Sequence, residues 1–222
     1  MERCFTKMVI NQNTPNIPID LTEVILYDTS HKKITITAGT QIKKSSNYPS
    51  ADYPTFNLFD ENDDTFMHTD ATPTTTQYVS IDFQQSLKIA FIDVVCRPTQ
   101  LTRANNLEIV LYRPNGATET LKMYPGLGWG SANNRWSFAL APVSAYYWII
   151  IEDMDNSTME ATTLPNTTDI FTVLQECEKD STCSLVTRSK YKNMYMFGKE
   201  SSYNTVKPKY GAATFIRSDR VD

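Results

Sequence analysis

Tyr78-Val79-Ser80-Ile81-Asp82-Phe83 alternates polar and apolar side chains, the period-two pattern of a strand with one face in a core and the other in water. The alternation recurs upstream in Leu21 to Tyr27 and Lys33 to Thr37. Downstream it returns in Leu87 to Val95, Leu107 to Tyr112, Thr118 to Met123, Trp136 to Leu140 and Tyr146 to Ile151. Turn signals separate these runs: Asn47-Tyr48-Pro49-Ser50, Arg113-Pro114-Asn115-Gly116, Pro125-Gly126 and Ser131-Ala132-Asn133-Asn134. Many short strands with no helices between them predict a mainly β chain built as an antiparallel sandwich.

The chain has 222 residues, room for one large domain or a larger domain with a small companion. Hydrophobic residues at 41% and charged residues at 21% lie in the globular range. The longest apolar run, Ala145 to Ile151, is far short of the ~20 residues of a membrane-spanning helix, so no span is expected. Lysine and arginine total 21 against 25 acids, a net charge of −4. That leaves no global positive field to gather nucleic acid. Met1-Glu2-Arg3-Cys4-Phe5-Thr6-Lys7 lacks the apolar segment of a secretory signal, so the chain is expected to stay where it is made or to have been trimmed. Catalytic constellations are scarce. The two histidines, His31 and His68, have no nucleophile signature around them, and neither a P-loop nor Gly-x-Gly-x-x-Gly is present. A non-enzymatic protein is expected. Cys4 and Cys96 are isolated and Cys177-x5-Cys183 is wider than a zinc knuckle, so a thiolate metal site is not expected either.

Residues 153–167 are polar and carry a proline, the composition of a linker. After them Ile170, Val173, Leu174 and Cys177 fall at i, i+3, i+4 and i+7, with Thr168 or Asp169 placed to cap a helix. Strands resume at Thr182 to Thr187, Asn193 to Phe197 and Ala212 to Arg217. The organisation expected is an N-terminal arm at 1–19, a β-sandwich at 20–152, a linker at 153–167 and a small α+β unit at 168–222.

Between the early strands lies Tyr53-Pro54-Thr55-Phe56-Asn57-Leu58-Phe59-Asp60-Glu61-Asn62-Asp63-Asp64-Thr65-Phe66-Met67-His68-Thr69. Asn57, Asp60, Asn62 and Thr65 offer hard oxygen donors within nine residues, the ligand type that calcium selects. The same residues suit a polar turn that uses Asn and Asp side chains to satisfy its own backbone. Spacing alone favours that turn, because acid-rich loops are common and mostly solvated.

Here the sequence resembles a family. Tyr53-Pro54-x-x-Asn57-Leu58-x-Asp60-x-Asn62, then Thr65-Phe66-x-His68-Thr69, then Tyr78-Val79-x-Ile81-Asp82-Phe83 resemble the discoidin or coagulation-factor C-type jelly roll in its fucolectin-like branch. Ile92-Asp93-Val94-Val95-Cys96-Arg97, Arg103-x-Asn105-Asn106-Leu107-Glu108-Ile109 and Leu111-Tyr112-x-Pro114-Asn115-Gly116 resemble the family's middle strands, and Leu21-Thr22-Glu23-Val24 its leucine-x-glutamate-valine strand. The resemblance implies a galactose-binding-like, antiparallel jelly-roll β-sandwich over residues 20–152. It also implies calcium at Asn57, Asp60, Asn62 and Thr65, with Glu23 supplying a further carboxylate and Glu152 its rival. The family's Asp-Gly-Asn turn reads Asp60-Glu61-Asn62 here, and glycine is favoured where φ is positive.

His68, Arg97 and Arg103 fall on the family's sugar-binding histidine and arginines. Guanidinium forks and an imidazole can donate to sugar hydroxyls, but the reading favoured from the sequence is that Arg97 and Arg103 brace the jelly roll through carbonyl and carboxylate contacts and that His68 is a satisfied loop histidine. The adjacent cysteine pair that packs on the sugar's apolar edge in the family is absent here, so no apolar platform is expected beside these three residues. Trp129, in Gly126-Leu127-Gly128-Trp129-Gly130, is the aromatic expected at a protein interface.

The stretch from Leu174 through Cys177-x5-Cys183 to Gly198 resembles the small apple or PAN-like modules, which implies a disulfide between Cys177 and Cys183. Together these modules resemble those of structural proteins of large DNA viruses. They imply a virion component, minor capsid or surface, made in the host cytoplasm and contacting other structural proteins. The alternative is a secreted, extracellular, calcium-dependent lectin that binds glycans.

Overall fold

The computed structural model describes residues 3–36, 40–49, 52–70, 72, 75–123, 134–140, 148–155, 163–165, 170–180, 183–189, 194–199 and 207–217. The chain is mainly β, with two antiparallel sheets and few helices, and it divides into two compact units, Glu2–Trp136 and Ser137–Asp222.

In the first unit, β1 (Cys4–Gln12), β2 (Asp20–Tyr27), β3 (Gln41–Lys44), β4 (Met67–His68), β5 (Gln77–Lys88), β6 (Phe91–Cys96), β7 (Leu107–Tyr112) and β8 (Thr118–Lys122) follow in chain order. A five-stranded sheet runs β3-β5-β1-β7-β8. The segment read from the sequence as an N-terminal arm therefore supplies the middle strand of a sheet. In register, Met8 faces Ile81 and Leu111, and Ile10 faces Val79 and Ile109. All six side chains are buried, so each row closes one layer of core. A bulge between Phe5 and Lys7 breaks the alternation of β1, which hides the strand from a period-two reading.

The other strands of this unit run β4-β2-β6. β6 is buried throughout. In the alternating stretch Lys33 to Thr37, Lys33 forms an isolated bridge with Tyr27 and Ile34 donates its N–H to the Leu26 carbonyl, while Thr37 lies outside the described residues. Leu87 to Val95, expected as one strand, is divided between the end of β5 and β6.

β2 is the element that positions the functional side chains. Two 3-10 segments, Thr55–Phe59 and Pro98–Ala104, pack against it, and Asp20, Leu21, Thr22, Glu23 and Val24 are all buried. Residues three apart in a strand point to opposite faces. A one-residue register shift between Leu21 and Glu23, where β2 pairs with β6, cancels that inversion and brings Asp20 and Glu23 to the same face. The extra residue, Thr22, spends its hydroxyl on the Val95 carbonyl at 3.0 Å.

The second unit contains most of β9 (Arg135–Ala139), then β10 (Trp148–Asp155), β11 (Thr163–Pro165), α1 (Ile170–Lys179), β12 (Cys183–Ser189), β13 (Met194–Lys199) and β14 (Lys207–Arg217). Its strands run β11-β13-β12-β14-β10-β9. The stretch read as a linker thus holds the end of β10 and all of β11. The helix buries Val173, Leu174 and Cys177 and packs on β12, where Leu185 and Val186 are buried. Cys177 and Cys183 form a disulfide with a Cα–Cα distance of 5.4 Å, and the buried Trp148 donates its indole N–H to Glu178 at 3.0 Å. Among the described residues no helix is long and apolar enough to cross a membrane.

The register of β1 makes a contrast that stability measurements can read. Ile10→Ala should destabilise the protein by about 2–5 kcal/mol, as expected for truncating a fully buried isoleucine. Val9→Ala, on the opposite side of the same strand, should cost about 1 kcal/mol or less. Equal losses in denaturant titrations would contradict a central β1 with one face in the core.

Candidate functional site

Two polar clusters stand side by side along the covered face of β2. The first forms around Asp20, whose side chain has 0% exposure. Its Oδ2 accepts from Arg103 at 3.0 Å and Arg97 at 3.4 Å, and His68 Nε2 lies 3.7 Å away. His68 reaches it because β4 pairs with β2 in a register that sets His68 opposite Asp20. The arginines flank the 3-10 segment Pro98–Ala104, Arg97 at its N-cap and Arg103 in its last turn. The three residues aligned from the sequence are thus gathered onto one carboxylate, and Asp20 is the member that motif reading did not single out. An acid at the first position of a strand whose first five residues are all buried was the available signal.

The hydrogen bonds fix the imidazole tautomer. His68 Nδ1 bonds the Thr69 carbonyl, which only accepts, so Nδ1 carries the proton. Nε2 then accepts from Arg103 at 2.9 Å. Neutral His68 and anionic Asp20 are both acceptors for the two guanidinium groups. Arg97 and Arg103 keep 34% and 27% of their side chains exposed, so each guanidinium retains a surface for a ligand.

The cysteine pair has no counterpart here, but three aromatic rings pack beside these residues. Tyr53 stacks on Phe66 with centroids 4.6 Å apart, Tyr48 meets His68 edge-on at 4.8 Å, and Arg97 lies over Phe66 at 4.0 Å. All three aromatic rings are half-buried. They form an aromatic cluster beside the charged donors, in contact with one another, with His68 and with Arg97. Lys44, at the end of β3, braces the wall from behind by donating to the Tyr53 carbonyl at 2.7 Å and the His68 carbonyl at 3.0 Å. Burial lowers the pKa of its ammonium, with nearby Asp52 opposing. Tyr48, Tyr53 and Phe66 follow no period in the sequence, and the turns that converge them are set by tertiary contacts.

The second cluster joins Glu23 to the oxygen-rich loop. The Asn62 backbone N–H is shared by Glu23 Oε1 and Asp60 Oδ1, each at 3.1 Å. The Thr65 hydroxyl lies 2.7 Å from Asp60 Oδ2 and 2.9 Å from the Asn62 carbonyl. Asn57 donates its amide to the Phe66 carbonyl at 3.0 Å. Glu61 sits at φ 61°, the left-handed conformation for which glycine is favoured, and pairs with Lys33 at 2.9 Å. A non-glycine residue therefore holds the turn in the conformation that glycine usually supplies.

Glu23 is 2% exposed, and its Oε2 has no hydrogen-bond partner among the described residues. Burial, the hydrogen bond to Asp60 and the charge of Asp60 together raise its carboxyl pKa to about 7, against the pull of the Asn62 N–H and Lys33. Two carboxylates converging on one N–H with a buried oxygen left over are a donor set in need of positive charge. Hard oxygens from Glu23, Asp60, Asn57, Asn62 and Thr65 fit calcium. Among the described residues no group of three or more His, Cys, Asp or Glu forms a metal cluster, so amide, hydroxyl and carbonyl oxygens would have to complete the shell. Trp129 and the side chain of Glu152 lie outside the described residues. Cys4 is half-exposed and Cys96 buried, both as free thiols. Burial, helped by the charge of Asp20, pushes the Cys96 thiol far above its ordinary pKa, as suits an inert core residue.

The sequence matches no family model, and neither a curated protein nor a solved structure matches the chain.

The raised Glu23 carboxyl has a consequence for stability with its sign fixed. A folded-state pKa of about 7 against an ordinary 4.5 contributes stability that is complete below the unfolded value and is lost as pH rises through 7. In the presence of chelator, the melting temperature of the wild type should fall relative to Glu23→Gln between roughly pH 5 and pH 8. A flat difference curve would show that the carboxyl titrates normally.

Proposed function

We propose that this chain is a non-enzymatic, saccharide-binding module of the discoidin or fucolectin-like jelly-roll type, braced by calcium and followed by an apple or PAN-like unit. One observation carries the reading: two partly exposed arginine side chains and a neutral imidazole, drawn together by buried Asp20, stand beside Tyr48, Tyr53 and Phe66. Sugars present hydroxyls on their edges and C–H groups on their faces. Fixed donors beside aromatic surface are complementary to both.

The protein's own groups do the recognising. Arg97 and Arg103 donate to hydroxyl and ring oxygens. Asp20 and Phe66 hold Arg97 between them, so little side-chain entropy remains to be lost on binding. Bound calcium would supply the positive charge that lets Glu23 and Asp60 ionise together, and would fasten the loop through Asn57, Asn62 and Thr65 to β2. No nucleophile, general acid or transferred proton enters this reading.

The setting is part of the same proposal. As a component of a large DNA virus particle the module would present a glycan-binding surface while contacting other structural proteins. As a secreted lectin it would act alone. The saccharide reading comes before a purely protein-to-protein role because hydrogen-bond donors and aromatic rings are gathered around Asp20.

Two experiments test it. On arrays carrying L-fucose- and D-galactose-terminated glycans, the wild type should bind and Arg97→Ala should weaken binding by about ten- to hundredfold, the loss expected for a charge-assisted hydrogen bond. Arg97→Lys, which keeps the charge over Phe66 and loses the fork, should recover only part. Wild-type silence on every glycan, or equal binding by all three proteins, would overturn the saccharide reading.

For the metal, calcium at about 100 times its dissociation constant should stabilise the wild type by about 2.7 kcal/mol. Asp60→Ala should abolish that increment. An increment that survives in Asp60→Ala would leave the loop as a self-satisfied turn.

A further inference from the structure

The outward side of the five-stranded sheet is not flat. A cavity of about 500 Å³ opens on it, lined from β1, β3, β5 and β7, within the size range of ligand sites. Register arranges its side chains in rows. Asn11 faces Tyr78 across β1 and β5, Val9 faces Ser80, and Lys7 faces both Asp82 and Tyr112. β3 adds Lys43 opposite Ser80 and Gln41 opposite Asp82. Tyr78 and Tyr112 stand at opposite corners, two strands and four residues apart, a diagonal of about 16 Å from ordinary strand spacing and rise.

The chemistry of the rows is selective. Tyr78 is 44% exposed, an unusual position for a large ring. The amides of Asn11 and Gln41, the Ser80 hydroxyl and both phenols make no hydrogen bond to described residues, so the floor carries unspent donors and acceptors. Only Val9 adds aliphatic surface to the cavity lining, which is poor material for the apolar centre of a protein interface. Of the two ammonium groups, Lys7 lies over the Tyr112 ring at 5.3 Å and faces Asp82, whereas Lys43 has no acidic partner among the described residues. The face thus holds one uncompensated positive charge on a chain of net charge −4.

We propose that this face is a second binding site, taking an extended acidic oligosaccharide. Its rings lie against Tyr78 and Tyr112, its hydroxyls meet Asn11, Gln41 and Ser80, and one carboxylate pairs with Lys43. None of these residues belongs to the Asp20 cluster, so the site stands whether or not that cluster takes a sugar.

Isothermal titration of the full chain with a hyaluronan hexasaccharide, whose alternate sugars are uronates, tests it. The wild type should bind. Tyr78→Ala and Lys43→Glu, both exposed and expected to melt as the wild type does, should each weaken binding by about tenfold or more. A carboxyl-reduced hexasaccharide should bind the wild type as weakly as the acidic one binds Lys43→Glu.

Absence of binding, or equal binding by wild type and both variants, would overturn the proposal. Binding that survives Tyr78→Ala but falls with Arg103→Ala would assign the acidic saccharide to the Asp20 cluster and overturn it as well. Sedimentation showing a dimer that Lys43→Glu dissolves would give the face to a second copy of the chain, and the saccharide site would fall with it.

Discussion

A carboxylate without access to water organises the first unit. Asp20 is charged, buried and central, and a buried charge is tolerated only when matched by partners in good geometry. Its partners come from distant parts of the chain: His68 from β4, Arg97 and Arg103 from either end of the Pro98–Ala104 segment. Satisfying one acid therefore pins a strand and a 3-10 segment onto β2. The aromatic wall follows from that anchoring, because Phe66 lies under Arg97 and Tyr48 meets the ring of His68.

Three residues further along the strand the opposite arrangement holds. Glu23 is equally buried and shares its face, yet the group it meets is another acid, Asp60. One strand thus carries a carboxylate neutralised by guanidinium groups and a carboxylate whose pKa is raised first by burial and then by its neighbour Asp60. The first has its charge matched through Oδ2, while its Oδ1 has no hydrogen-bond partner among the described residues. The second gains from a cation, since ionising Glu23 beside Asp60 in a buried setting is otherwise unfavourable. The bulge at Thr22 aligns both on one face.

What the sequence discloses follows its periodicities. Tyr78 to Phe83 alternates without interruption and lies inside β5, and the spacing of Ile170, Val173, Leu174 and Cys177 marks the buried side of α1. β1 is obscured because a bulge after Phe5 shifts the apolar positions out of step. At the site, motif spacing finds His68, Arg97 and Arg103 but misses Asp20, which lies 77 positions before Arg97. Tyr48, Tyr53, Phe66 and Lys44 join through turn geometry and carbonyl contacts. Those depend on the folded path of the loops and leave no pattern in the one-dimensional string.

The place of β1 also sets an order of events during synthesis. Cys4–Gln12 is made well before the strands it pairs with, Gln77–Lys88 and Leu107–Tyr112. At translation rates of roughly 5–20 residues per second, β1 waits on the order of 5–20 s for β7 to emerge. Until β5 is made both edges of β1 are unpaired, and until β7 is made one of them stays so, open to capture by any other strand within reach. The first unit cannot close until most of it has left the ribosome, and its folding in the cell is a problem of keeping an early segment uncommitted.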